Sequence, residues 1–310
     1  MEQEKRIAVV IDPHLVERNP RCRKDNFFET ALGKLEYLAQ NNDYVVIAGD
    51  LFHIHSNSTW FFNVVYSLFK KYQGKFHAIP GNHDVFHRNL SALDKTTLGS
   101  LYYTDVLSLH TTPWTLAGVE FVPVLINTDV NDIPVDETNT KVLIGHKFYE
   151  QNFDPEESLF ADDIRRLNYN LVFLGHDHKP YSEDFIGNSS LIRMGSLTRI
   201  DTQYYNKDRE ILYYQITTSG NGEYDYTQKV VPHKPAKEVY SEEAYNSMGV
   251  KDIKEREVVS FVQIGDVLAK LTKTTKGINS LDRTLRSLKA PEASIADIKW
   301  RHELNNVSYT

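Results

Sequence analysis

Five apolar, strand-like stretches of this chain each run directly into Asp, Asn or His side chains, and this repeated pattern limits what the chain can fold into. The stretches and the polar residues that follow them are 7–11 with Asp12 and His14, 44–48 with Asp50, 76–79 with Asn82, His83 and Asp84, 142–144 with His146, and 171–174 with His176 and His178. In open α/β sheets, ligands bind at the carboxyl ends of the strands. The pattern therefore predicts an α/β fold in which five strand ends bring polar side chains to one edge.

The donor types predict a metal site with more than one ion. Carboxylate, imidazole and amide groups without sulfur suit manganese, iron(II) or zinc rather than a structural zinc finger. A match to one short motif is common by chance, whereas five motifs in this order, each after a strand, are very unusual. We expect two divalent ions, Mn²⁺ in the first place, with Fe²⁺, Zn²⁺ and Mg²⁺ as alternatives.

Two divalent ions need a carboxylate that bridges them. Asp50 is the best candidate, because it ends the central strand and has no other partner in its motif. Asp12 and His14 lie two residues apart and can reach one ion from the same loop, while Asn82 can complete the other ion without adding charge. The resulting site keeps a net positive charge, which suits a phosphodiester.

Cleavage of a phosphodiester also needs help for the leaving alkoxide. His83 directly follows Asn82 and can supply a proton. Asp84 can orient the ring of His83 and keep it cationic. The third motif therefore predicts both a metal donor and a catalytic acid.

The charge of the chain argues against a generally basic nucleic-acid binder. The formal net charge is −7, whereas neutralising phosphates needs clustered Lys and Arg. One basic segment does occur at 15–25, and its cations are Arg18, Arg21, Arg23 and Lys24. Taken alone it is an ordinary solvated loop, but because it leaves directly from Asp12 and His14, it can also hold a phosphate backbone near the metals.

The cysteine content and the amino terminus favour a reducing compartment. Cys22 is the only cysteine, so neither an intramolecular disulfide nor a thiolate zinc cluster is expected. The first residues pass quickly into a strand, which predicts no signal peptide, and no apolar run reaches the roughly 20 residues that cross a bilayer. We expect a cytoplasmic protein of a bacterial cell or a phage-infected host, with no membrane partner.

Helical periodicity covers 26–40 and 58–72. The first of these helices lies between two strands, so those strands should be parallel. The second is apolar around most of its surface, which indicates either burial on both sides or a subunit interface. After 178, short alternating runs predict antiparallel strands, so the expected fold is a two-sheet sandwich with helices outside.

Two prolines and two lysines at 232–238 predict a linker. The expected organisation is a catalytic domain at 1–231, this linker, and a small region at 239–310. Helical spacing in the last region, with a basic turn formed by Lys270, Lys273 and Lys276, suits a small appendage that packs on the main body, or one that contacts nucleic acid or a partner.

At this point the motifs resemble the calcineurin-like metallophosphoesterases, over about 7–196. Within that superfamily, Gly-Asp-Leu-Phe-His at 49–53 and Gly-Ser-Leu at 195–197 resemble the SbcD-type nuclease subunit of bacterial and phage double-strand-break repair complexes. The resemblance implies a four-layer α-β-β-α sandwich. The roles that it implies by position are a first manganese on Asp12, His14, Asp50 and His178, a second on Asp50, Asn82, His146 and His176, a catalytic acid at His83, and a group near the substrate at His53.

The resemblance also implies a double-stranded DNA substrate, with 3′-to-5′ exonuclease and endonuclease activity in DNA repair or recombination. Its implied partners are a second copy, through the helix at 58–72, and an SbcC-type coiled-coil ATPase. Pro13 occupies the variable position between Asp12 and His14, which stiffens the turn without removing a ligand. The region after the linker is short, so whether it caps DNA or docks the ATPase stays open.

Two other functions stay open on the sequence alone. One is a small-molecule or cyclic-nucleotide phosphodiesterase on the same fold, which the acidic balance of the chain favours. The other is a catalytically inactive scaffold for the partner ATPase, although such a protein should have lost a ligand and all of them are present.

Overall fold

The structure, a computed structural model, describes residues 4–150, 157–220 and 222–248. These residues belong to the first of the two units into which the chain divides, Met1–Gly249. The strands are β1 (Lys5–Val10), β2 (Tyr44–Ala48), β3 (Phe76–Ile79), β4 (Ser108–Leu109), β5 (Trp114–Leu116), β6 (Val119–Val124), β7 (Val142–His146), β8 (Phe148–Tyr149), β9 (Ser158–Leu159), β10 (Leu171–Gly175), β11 (Asp184–Ile186), β12 (Ser189–Ile192), β13 (Leu212–Thr218) and β14 (Tyr224–Val230). The α-helices are α1 (Phe27–Asn41), α2 (Thr59–Lys71), α3 (Thr97–Tyr103), α4 (Ala161–Leu167), α5 (Ala236–Val239) and α6 (Glu242–Ser247). None of the helices in the described ranges has the length and apolar character needed to cross a bilayer.

The first sheet has the order β14-β13-β1-β2-β3-β4. Its central strands β1, β2 and β3 are parallel, as predicted for the first two, and α1 and α2 connect them. Both helices begin at a side-chain cap, since Asn26 accepts from the N–H of Glu29 and Ser58 accepts from the N–H of Phe61. Parallel strands end at the same edge, so the loops after β1, β2 and β3 lie side by side.

The second sheet has the order β11-β12-β10-β7-β6-β5. Strands β6, β7, β10 and β12 run parallel, while β5 and β11 are antiparallel edge strands. The adjacent strands β7 and β10 end at His146 and Gly175. Their carboxyl ends bring the last two polar motifs together.

Alternation of side chains along the strands produces the layers. In β1, Ala8 and Val10 pack in the cluster that includes α1 and α2, whereas Val9 packs in the cluster between the two sheets. In β7, Ile144 joins the cluster between the sheets and Leu143 packs with α4. Helices therefore cover both outer faces, and the predicted four-layer α-β-β-α sandwich is confirmed.

The aromatic helix predicted at 58–72 is α2, and it buries one face only. Phe61, Val65 and Phe69 are fully buried, whereas Trp60 is 58% exposed and Phe62 is half-buried. Within the described part of the chain, α2 is therefore not buried on both sides. The exposed aromatic face leaves the subunit interface as a prediction.

The late strands are antiparallel in part. β13 pairs antiparallel with both β1 and β14, and β11 pairs antiparallel with β12. β12, however, lies parallel to β10, because the chain makes a hairpin through β11 and returns beside β10. Residues 114–116 form β5, a three-residue strand too short to show periodicity in the sequence.

The predicted linker at 232–238 lies against the rest of the described chain. Its last residues enter α5, and Ala236, Val239 and Tyr240 are buried. The Tyr240 hydroxyl donates to the carbonyl oxygen of Asp201 at 2.6 Å. The remainder of the predicted carboxyl-terminal region, 249–310, lies outside the described residues, so the domain boundary and the basic turn stay predictions.

Candidate metal centre

The loops after β1 and β2 are joined backbone to backbone. The N–H of His14 donates to the carbonyl oxygen of Asp50 at 2.9 Å, and the N–H of Leu15 donates to that of Leu51 at 2.8 Å. Asp12, His14 and Asp50 have φ values of 49°, 47° and 45°. This left-handed conformation costs a non-glycine residue about 1–3 kcal/mol. Three predicted donors are thus held in strained turns that direct their side chains to one place.

Asp50 lies at the centre of the predicted donors. Its Oδ1 accepts from the N–H of His83 at 2.9 Å. Its Oδ2 lies 3.6 Å from Nε2 of His14 and 3.3 Å from Nε2 of His146. One carboxylate oxygen therefore lies between the imidazoles of both predicted ligand sets, as a bridging ligand must.

The first ligand set meets around His14. Its Nε2 lies 2.7 Å from Nε2 of His178. Two imidazole nitrogens that both carry lone pairs repel each other at this distance, so a proton or a cation is needed between them.

The second ligand set meets around His146. Its Nδ1–H donates to the carbonyl oxygen of Ala48 at 3.2 Å, while its Nε2 lies 2.9 Å from Oδ1 of Asn82. The backbone hydrogen bond fixes the tautomer and leaves the lone pair of Nε2 free to bind a metal. His176 completes the group, since one ligand atom each of Asp50, His146 and His176 lies within 4.8 Å of the others.

Asp12 lies beneath both sets. Its Oδ2 accepts from the N–H of His176 at 2.8 Å. Its Oδ1 is buried without a hydrogen-bond partner in the described part of the chain, and it lies 3.4 Å from Nδ1 of His146. A buried carboxylate oxygen without a donor is costly unless a cation is beside it.

Two glycines leave space for these donors. A Cβ atom on Gly81 would lie 2.1 Å from Oδ1 of Asp50, and one on Gly49 would lie 2.2 Å from Nδ1 of His146. Any other residue at either position would displace a donor. Lack of space for a side chain therefore explains why the Gly-Asp and Gly-Asn-His-Asp motifs have glycine at these positions.

The residues fit two divalent cations. All seven predicted donors meet at one edge of the two sheets: Asp12, His14, Asp50, Asn82, His146, His176 and His178. Four of them, Asp12, His14, Asp50 and His146, are fully buried, while the histidines on the other side are partly exposed. The centre is therefore enclosed on the side of the buried donors and open to a substrate on the side of His176 and His178.

Burial and charge shift the pKa values of these groups in opposite directions. Burial raises the pKa of Asp12 to about 6. Burial would lower the pKa of His146, but the charge of Asp50 and then of Asp12 raises it to about 9. Burial also opposes ionisation of Asp50, yet the charge of His146 outweighs it and lowers the pKa of Asp50. Negative charge held against a protonated imidazole is the arrangement in which a metal ion replaces the proton.

The structure corrects the role predicted for Asp84. Its carboxylate is fully buried and accepts from the backbone N–H groups of Leu51, Phe52 and Gly81, at 3.2, 2.8 and 2.9 Å. It does not hold the ring of His83. The loop conformation directs Asp84 inward, where it fastens the second motif to the third.

His83 and His53 lie together at the open side of the centre. The Nδ1–H of His83 donates to the carbonyl oxygen of His53 at 2.7 Å. The two rings stack with centroids 5.2 Å apart, and the ring of His14 lies 5.1 Å from that of His83. The predicted acid is thus oriented by the main chain of residue 53 rather than by Asp84.

Two carboxylates near the donors were not predicted. Oδ2 of Asp201 lies 3.8 Å from Nδ1 of His178, and Oε2 of Glu157 lies 3.6 Å from Nε2 of His176. Arg88 forms an ion pair with Glu157. Neither carboxylate belongs to a strand-end motif, so their position depends on tertiary contacts that no sequence signal indicates.

The four predicted DNA-contacting cations do not form one surface. Arg18, Arg21 and Lys24 are exposed, but Arg23 is only 8% exposed. Its guanidinium donates twice to Asp25, at 2.8 and 2.7 Å, and once to the carbonyl oxygen of Arg199 at 2.7 Å. Arg23 therefore holds the loop and is removed from the candidate DNA surface.

Comparison with known proteins agrees with this geometry. The chain belongs to the calcineurin-like phosphoesterase family, whose sequence pattern matches residues 5–180. Members of this family are phosphoesterases that typically bind divalent metals.

A curated relative is the DNA double-strand break repair protein Mre11 of Archaeoglobus fulgidus, which is 26% identical over 235 residues. The match covers 65% of this chain and 52% of that protein, so the chain spans about half the length of the curated relative that it matches. Among solved structures, TT1561 of Thermus thermophilus matches with 13% identity and a TM-score of 0.41, over 74% of this chain and 100% of that one.

Proposed function

We propose that this protein is a metal-dependent DNA nuclease that acts as the nuclease subunit of a repair or recombination complex. The observation that carries the proposal is the position of Asp50, whose Oδ2 lies within 3.6 Å of imidazoles from both donor sets. A single carboxylate between two sets of donors suits two cations that share a phosphodiester. Asp12, His14, Asp50 and His178 would hold one ion, and Asp50 would hold the other together with Asn82, His146 and His176.

The two ions, when bound, supply charge for the phosphate and an activated water. The chain itself supplies the proton for the leaving oxygen. Because the carbonyl oxygen of His53 can only accept, Nδ1 of His83 carries a proton there. In the imidazolium form of the ring, the other nitrogen, Nε2, carries the second proton, which it can give to the leaving oxygen of the substrate.

Aromatic and basic side chains next to His178 favour a nucleic acid over a small phosphodiester. Lys179 lies over the rings of Tyr181 and Tyr204, at 5.1 and 5.7 Å, and Arg193 lies over those of Tyr149 and Tyr181, at 4.6 and 4.0 Å. We name these five residues the stacking row. Rows of aromatic and cationic groups bind unpaired bases and backbone in single-stranded segments. The similarity to a double-strand break repair protein supports the same substrate.

The exposed face of α2 supports a homodimer. Trp60 is 58% exposed, and the half-buried rings of Phe62 and Tyr66 stack 5.8 Å apart on the same helix. Aromatic residues of this kind are enriched at interfaces. A Trp60→Glu variant should be monomeric by analytical ultracentrifugation if α2 is the interface, and an unchanged mass would exclude it. An SbcC-type ATPase is proposed as the further partner.

A direct comparison of substrates tests the proposed function. Purified protein with Mn²⁺ is given an end-labelled duplex with a free 3′ end, bis-p-nitrophenyl phosphate and cyclic AMP, with and without the ATPase. Cleavage of the duplex at a rate well above the two small substrates supports the nuclease. Fast hydrolysis of cyclic AMP with an intact duplex would identify a small-molecule phosphodiesterase, and inactivity on all three would identify a scaffold.

A variant of the stacking row sharpens this test. Tyr204→Ala should reduce duplex cleavage while hydrolysis of bis-p-nitrophenyl phosphate stays unchanged, because the small ester does not reach beyond the metals. The matched control is Tyr103→Ala, an exposed tyrosine on α3.

A further inference from the structure

Four cationic side chains are buried together behind the segment 196–199. They share an exposed fraction below 9%, and they are Arg23 at 8%, Lys34 at 7%, Arg199 at 4% and Arg209 at 8%. Buried cations are normally paired with carboxylates. Four buried cations together should therefore be balanced by groups of negative charge.

Only one of the four has a carboxylate partner among the described residues, namely Arg23, which is paired with Asp25 at 2.7 Å. The other three donate to uncharged oxygens. Lys34 donates to the carbonyl oxygen of Leu197 at 2.8 Å. Arg199 donates to the carbonyl oxygens of Lys234 and Arg209, at 2.8 and 2.6 Å, and Arg209 donates to Asn206 and Thr198, each at 2.7 Å.

Both arginines keep unused donor capacity. Nε of Arg199 and Nη1 of Arg209 are buried nitrogens without a hydrogen-bond partner in the described part of the chain. Burial, followed by repulsion from Arg199, lowers the pKa of Arg209 to about 10. The guanidinium groups of Arg199 and Arg209 therefore produce a local positive potential.

Arg199 and Arg209 also line an open cleft of about 490 Å³. The cleft is also lined by two lysines, Lys207 and Lys237, and by His233. Two carboxylates, Asp208 and Glu210, line it as well. The side chain of Glu210 is 62% exposed and lies 3.5 Å from Nε2 of His233, so solvent screens its charge, which offsets that of Arg199 only in part. None of the seven metal donors lines the cleft.

We propose that this cleft binds a small phosphate-bearing anion, either free phosphate or the phosphate of a mononucleotide, at a site separate from the metal centre. Two guanidinium groups without a carboxylate partner among the described residues line the cleft, and arginine matches phosphate geometry. The volume lies within the range of small-ligand sites. The occupied cleft would also fix segment 196–199, whose Leu197 N–H donates to the carbonyl oxygen of Ile11 next to the metal donor Asp12.

The test uses the full-length protein stripped of metal with EDTA, so that phosphate cannot bind through the metal centre. Titration calorimetry is performed with inorganic phosphate and, separately, with deoxyadenosine monophosphate. The proposal expects saturable binding of at least one of them. If both bind with equal affinity, the site recognises phosphate alone, whereas tighter binding of the nucleotide shows that the base is also recognised.

Two variants locate the site. Arg209→Gln should weaken binding at least tenfold, and circular dichroism checks that it folds. Because Arg209 is buried and this variant can fail to fold, the second variant, Lys207→Ala with Lys237→Ala, changes only the wall of the cleft and should also weaken binding at least tenfold. The control is Lys70→Ala with Lys95→Ala, two exposed lysines elsewhere. Undetectable binding in the native protein, or equal binding in the Lys207/Lys237 variant, would overturn the proposal.

Discussion

Nδ1 of His83 lies 2.7 Å from the backbone carbonyl oxygen of His53, so the ring of the proposed acid is positioned by main chain that no side-chain substitution removes. His83→Ala should therefore delete the proton donor and leave the donors of the metal centre in place. We expect phosphodiester hydrolysis to fall about 10²–10⁴-fold. Activity is measured on bis-p-nitrophenyl phosphate with Mn²⁺, and metal content by elemental analysis. His87→Ala, at an exposed histidine of the next turn, is the matched control; loss of metal in His83→Ala would contradict the role.

Asp50→Ala should lose both ions, because its Oδ2 lies within 3.6 Å of an imidazole of each donor set. Elemental analysis after dialysis against Mn²⁺ measures the stoichiometry. Asp94→Ala, at an exposed aspartate, should keep two ions per chain. Retention of both ions by the Asp50 variant would refute the bridge.

Asp84→Ala should destabilise the fold. The substitution leaves the buried N–H groups of Leu51, Phe52 and Gly81 without an acceptor, which should cost about 3 kcal/mol or more. Urea unfolding of the metal-free protein measures the change. A variant with native stability but without activity would restore the orienting role that the sequence predicted.

Arg18→Ala with Arg21→Ala should weaken duplex binding and reduce the salt slope by up to about two, because both side chains are exposed and each can neutralise one phosphate. Lys70→Ala with Lys229→Ala is the control for charge. A salt slope equal to that of the native protein would remove this loop from the DNA surface.

Arg23→Ala, in the same loop, should act on stability instead. It leaves Asp25 without its ion-pair partner, and removing one member of a buried pair costs about 3–5 kcal/mol. Thermal unfolding measures the loss. If stability were unchanged and duplex affinity fell, Arg23 would again be assigned to the residues that contact DNA.

His77 and His110 should make the fold sensitive to acid. Nδ1 of His77 lies 2.9 Å from Nε2 of His110, and burial lowers the pKa of each to about 4. Unfolded histidine binds a proton near pH 6.5, whereas the folded pair resists until about pH 4. The unfolded state thus binds more protons in this window, so stability is full above about pH 6.5, decreases as the pH falls, and levels off below about 4.

At about 1.36 kcal/mol per pH unit, the fall of the pKa from 6.5 to about 4 makes the contribution of His77 about 3 kcal/mol. It is measured as the difference in urea stability between pH 7 and pH 4 for the native protein and for His77→Gln with His110→Gln. The double variant should lose less stability on acidification, while His87→Gln should match the native protein. Equal acid sensitivity in all three would show that the pair is not responsible.

Much of the fold was predictable because the strands that carry the site are central and buried. Residues 44–48 and 76–79 were predicted with the bounds that the structure gives, since apolar runs between polar turns admit few alternatives. The donors followed from the same strands, because parallel strands end at one edge. The strand ends alone were therefore enough to predict that these seven side chains meet, and the loop conformations were not needed.

The side-chain partners beyond the donors were not predictable. Arg23 looks like a surface cation in sequence, but Tyr240 and Arg199, which are distant in the chain, contact its guanidinium in the fold. Asp84 sits next to His83 but points away from it, since loop dihedral angles decide the direction. Asp201 approaches His178 across 23 residues of chain. Each of these contacts depends on how separate loops fold together.

The left-handed backbone at Asp12, His14 and Asp50 places a folding cost on three of the predicted metal donors. Glycine at any of them would relieve the backbone but would also remove the ligand atom. Bound cations would return part of this cost, because they favour the folded chain over the unfolded one. The free energy of unfolding should therefore depend on metal concentration more strongly than the hydrogen bonds of these loops alone would suggest.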